Sequence, residues 1–91
     1  MNILFFIFAA PYILTATGTL CSDNGDIAVY NEGECKTAAE MLNNKFGRTI
    51  DNAELPKGCF MSSMNRIHFN QHSTGSSKND ARQICFEAGD G

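Results

Sequence analysis

Positive charge is scarce in this chain. Seven lysines and arginines face ten aspartates and glutamates, for a net charge of -3, and no two of the cations adjoin. Gripping a nucleic-acid backbone needs clustered cations, so no nucleic-acid partner is expected. Nothing repeats along the sequence, and no block of like charge marks a disordered tail. Serines such as Ser62, Ser63, Ser73, Ser76 and Ser77 read as loop residues, and none sits in a glycine-flanked nucleophile elbow. The close CxxC, CxH or HxxxC spacings of structural zinc sites are missing. So is the Asn-x-Ser/Thr acceptor of N-linked glycans. Acidic residues such as Asp51 and Glu54 are dispersed. No enzyme signature remains after these exclusions, and neither a cofactor nor a metal is expected.

What is present begins with four cysteines in 91 residues. One domain is the ceiling at this length, and a core so small usually needs staples. The division expected is residues 1–20 as a leader or membrane anchor and residues 21–91 as the stapled domain. "MNILFFIFAAPYILTATGTL" holds no charged residue. Ala16-Thr17-Gly18 suits cleavage between small residues, and a secretory leader is the first reading. An uncleaved anchor is the rival. Ile3–Leu20 just reaches the lower length limit for a transmembrane helix, and Pro11 and the threonines make it a poor one. Either way the cysteines face an oxidising space, extracellular or the lumen of an organelle.

Along the domain, Cys21–Asp26 is irregular. In "DIAVYN", Ile27 and Val29 alternate with Ala28 and Tyr30, as in a short strand. "CKTAAEMLNNKFG" places Cys35, Ala38, Ala39, Leu42 and Phe46 at helical spacing, with Gly47 as the expected stop. "RTIDNAELPKG" reads as a connector with a turn at its end. "CFM" and "RIHFN" pair as a hairpin across "SSMN". Ile67 and Phe69 fall on one face of it, and Arg66, His68 and Asn70 on the other. "QHSTGSSKNDA" is a long polar loop, "RQICF" the last strand and "EAGDG" a frayed tail. The fold class expected is therefore α+β, one helix on a small, mostly antiparallel sheet held by two disulfides. Leu42 and Phe69 are expected to meet in its core.

Four cysteines allow three pairings. Cys35 starts the helix and Cys59 starts the hairpin on which that helix must lie. Cys21 and Cys85 sit near the two ends of the domain, and chain ends are often close. The pairing expected is Cys35–Cys59 with Cys21–Cys85, each bond worth roughly 3–4.5 kcal/mol. His68 and His72 would share a face only on a helix. On a strand running into a turn they separate, leaving His68 on the surface and His72 bonded to the turn backbone.

The run "ECKTAAEML…LPKGCFM…RIHFNQHSTGS…ARQICF" resembles a small cysteine module widespread in predicted proteins of dinoflagellates and other marine unicellular eukaryotes. The resemblance spans about Glu34 to Phe86 and is carried by Cys35, Ala38, Ala39, Pro56, Gly58, Cys59, Phe69, Asn70, His72, Gly75, Ile84 and Cys85. It implies a fold and a provenance, with no assigned activity. The function expected is a non-enzymatic binding or structural module with a protein partner. The candidate interface is the hairpin face and following loop: His68, Gln71, His72, Ser73 and Thr74. An algal provenance brings a second expectation, a membrane-anchored accessory subunit of a photosynthetic complex on the lumenal side of the thylakoid, with pigment near the histidines. A small hydrolase is the remote third, because so small a domain has little room for a site that excludes water.

Overall fold

The computed structural model describes residues 11–87. The elements in chain order are β1 (Tyr12–Leu14), a 3-10 turn (Cys21–Asn24), β2 (Ile27–Ala28), α1 (Glu32–Met41), β3 (Phe46–Ile50), β4 (Gly58–Met61), β5 (Ile67–Asn70) and β6 (Arg82–Phe86). The strands form one sheet in the order β1-β6-β4-β5-β3, with β2 also paired to β6. All pairs are antiparallel except β3 with β5. The expected class, one helix on a mostly antiparallel sheet, is the one observed.

Both disulfides form as expected. Cys21–Cys85 and Cys35–Cys59 span 64 and 24 residues, with Cα atoms 5.7 and 5.3 Å apart. No cysteine is free, which is compatible with an oxidising environment. Cys35, Ala38 and Ala39 of α1 pack on Cys59, Met61, Ile67, Phe69 and Ile84 of the sheet, and Leu42 and Phe69 share this cluster as expected. Alternation along the strands then leaves Phe60 and His68, which are directly paired, on the face without the helix.

Three sequence expectations are corrected. The helix runs over Glu32–Met41 and starts at the Asn31 cap, whose side chain accepts the Glu34 N–H at 2.9 Å. It does not reach Gly47. Asn43 takes the left-handed turn at φ 59°, which asparagine tolerates better than most residues. Phe46, which continues the helical spacing, packs against the core from β3 instead. The stretch read as a connector therefore holds a strand, parallel to β5.

Ile27 and Val29 do not share a face. Ile27 is 69% exposed while Ala28 and Val29 are buried. Val29 leaves the strand pattern because its N–H donates to Ile84 O and its C=O accepts from Cys59, bridging β6 and β4.

"RQICF" is the last strand, as expected. β6 lies inside the sheet, with β1 on one edge and β2 and β4 on the other.

The division expected at residue 20 lies beyond the first strand. β1 belongs to the sheet, and Tyr12 and Thr15 are buried. The apolar segment expected to be a leader or anchor is thus divided. Its residues 1–10, like residues 88–91 of the tail, lie outside the described residues. Among the described residues no helix is long and apolar enough to cross a membrane.

Candidate functional site

The helix-free face of the sheet carries an open cleft of about 340 Å³. β4 supplies Phe60 at its floor, β5 supplies His68 and β3 supplies Arg48. The segments after β3 and before β6 add Asp51, Leu55, Lys78 and Asp80, and the hairpin turn adds Ser62 and Ser63.

The His68 ring is held from two directions. It leans on Phe60 with ring centroids 5.7 Å apart. The Arg48 backbone N–H donates to Nδ1 at 3.3 Å. Gly47 leaves the space the ring occupies, since a Cβ there would overlap the imidazole. Because Nδ1 accepts, the ring is neutral with its proton on Nε2. Burial pushes the His68 pKa below its ordinary value, the charges of Arg48 and Arg66 push the same way, and the backbone hydrogen bond with Arg48 works against them without reversing the shift. The Arg48 guanidinium forms no ion pair among the described residues, whereas Lys78 lies 4.0 Å from Asp80. The cleft thus presents a neutral imidazole, an unpaired cation and serine hydroxyls beside the exposed Asp51 carboxylate.

The five residues expected to form one interface are divided. His68 lines the cleft. Gln71 and His72 line a second hollow of about 230 Å³ with Tyr30 and Lys57, whose Nζ stands 4.5 Å over the Tyr30 ring. Ser73 and Thr74 are exposed on the turn. The His72 ring faces its own loop, where Nδ1 accepts the N–H groups of Thr74 and Gly75 at 3.1 and 3.0 Å. That is the turn bond expected of it, and it leaves His72 a structural role.

Asn70 is buried to 1% exposure. Its Nδ2 donates to the carbonyls of Asn52, Leu55 and Pro56, and its Oδ1 accepts from the N–H groups of Asn52 and His72. It therefore sets the position of the segment that forms one wall of the cleft. Arg48, Asp51 and Lys78 were not singled out as site residues. Their only signal was Gly47 next to Arg48, and that glycine read as a helix stop. Among the described residues, no group of three or more histidines, cysteines or carboxylates is placed to hold a metal. No protein-family model, curated protein or solved structure matches this chain.

Proposed function

We propose that this protein is a non-enzymatic binding module of an oxidising compartment, extracellular or lumenal, and that it receives an acidic segment of a protein partner in the cleft around His68. The observation that carries the reading is the fixed, neutral His68 beside the unpaired Arg48 guanidinium. An Nε2–H and a guanidinium are both donors suited to carboxylate oxygens. A ring fixed in advance loses little freedom when a ligand arrives, so its hydrogen bond costs less to form. The same ring is poorly arranged as a general base. Among the described residues no carboxylate orients it and no hydroxyl donates to it, and the cleft is open to water.

Backbone-amide NMR of the disulfide-intact chain tests this. Addition of a short Asp/Glu-rich peptide is expected to shift Arg48, Ser62 and His68 together, and an Arg48→Gln variant is expected to lose most of the response. Shifts confined to Tyr30, Lys57 and Gln71 would move the site to the second hollow and overturn the proposal.

A further inference from the structure

We propose that β1 is a permanent part of the folded domain. The native protein then keeps its backbone from Pro11 onward and is not cut at Ala16–Gly18, the point that suits leader cleavage. This inference is independent of the cleft. A removable leader leaves nothing of the mature core built upon it. The segment here is built in on both faces. Tyr12 is 5% exposed within the main core, and Leu14 packs beside it. Ile13 faces the other way and covers the cluster made by Cys21, Ala28 and Cys85. Along the backbone, Tyr12, Ile13 and Leu14 pair with Phe86, Cys85 and Ile84.

Beyond the strand the chain stays tied. Thr15 N–H donates to Gln83 O at 3.0 Å, and Thr15 Oγ1 accepts the Gln83 N–H at 2.9 Å. Arg82 Nε donates to Thr15 O at 2.8 Å, and Gly18 N–H reaches Ala81 O at 2.9 Å. The Glu87 N–H closes the far end on Pro11 O at 2.7 Å. Removing residues 11–17 would strip one edge of β6 and leave its polar backbone groups open to pairing with other chains. It would also uncover a disulfide whose two cysteines are now at most 1% exposed. The same contacts rule out an apolar helix running to Leu20, because Tyr12–Leu14 is already committed to a sheet. Whatever precedes Pro11, a leader or a span ends before this strand.

Hydrogen exchange of the full, oxidised chain is the first test. The Thr15 and Gly18 amides are expected to exchange about a hundred-fold or more slower than in the reduced, unfolded chain, in step with Val29 and Cys59. Fast exchange at Thr15 with Val29 still protected would show a strand that merely rests on the domain, and would overturn the proposal. A second test inserts a site-specific protease sequence between the exposed Ala16 and Thr17. Cutting it is expected to lower the thermal midpoint by about 10 °C or more and to speed reduction of Cys21–Cys85. A nicked chain with unchanged midpoint and unchanged reduction rate would overturn it, as would a natively folded natural chain beginning between Thr17 and Thr19.

Discussion

Asn70 and His68 stand side by side on the hairpin strand and do opposite work. Asn70 is itself buried, shares its two N–H donors among three carbonyls and accepts two backbone N–H groups. Asn70→Ala strands those groups and is expected to cost roughly 2–4 kcal/mol by chemical denaturation. Asn70→Asp should be no milder at neutral pH, since a carboxylate cannot donate to the carbonyls of Asn52, Leu55 and Pro56. His68 makes its contribution as a neutral ring. Its folded pKa lies below the unfolded value, so the unfolded chain takes the proton first. The stability contributed by the neutral ring is therefore full above about pH 6.5 and is lost as pH falls through the depressed folded value. Denaturation midpoints compared between pH 7.5 and pH 5 should fall more for the native protein than for His68→Gln. An equal fall in both would place the titrating group elsewhere.

At the scale of elements, the hairpin β4–β5 and its facing pattern were legible because strict alternation puts Ile67 and Phe69 against the helix. Phe69→Ala is expected to cost roughly 3–5 kcal/mol, enough to unfold a domain this size. A change below about 1 kcal/mol would mean that Phe69 is not a core anchor. The β3 strand was not legible. Its Phe46 continues the helical spacing of Cys35, Ala38, Ala39 and Leu42, so local periodicity favoured the wrong element. What ends the helix is the Asn43 turn, and what makes 46–50 a strand is a partner far away in sequence, β5. Gly47 was assigned a cap role, and its actual role is to leave room for the His68 ring. Gly47→Ala is accordingly expected to displace His68 and abolish the acidic-peptide response of the cleft while leaving helix content by circular dichroism unchanged. Loss of helix signal would return Gly47 to the helix end.

At the scale of the whole molecule, two disulfides and one inserted strand hold together a core of modest size. Cys35–Cys59 fastens the helix to the sheet, and Cys21–Cys85 fastens the start of the domain to its last strand. Each is expected to contribute roughly 3–4.5 kcal/mol, comparable with the total stability of a small domain. Replacing Cys35 and Cys59 together by Ala should therefore leave a chain largely unfolded near body temperature, read as loss of near-UV circular dichroism. A double variant that retains native dispersion in its NMR spectrum would show that the sheet alone carries the fold.

The disulfide pairing, the fold class and the hairpin faces were determined by the sequence itself. They follow from local patterns and from the placement of four cysteines, and few alternatives satisfy both. The tertiary structure alone decided the fate of Tyr12–Leu14, the parallel strand β3 and the division of the histidines between two hollows. An apolar tripeptide has the same composition in a leader, a membrane span or a sheet. Only the edge of β6 that pairs with it, far along the chain, distinguishes the last from the first two.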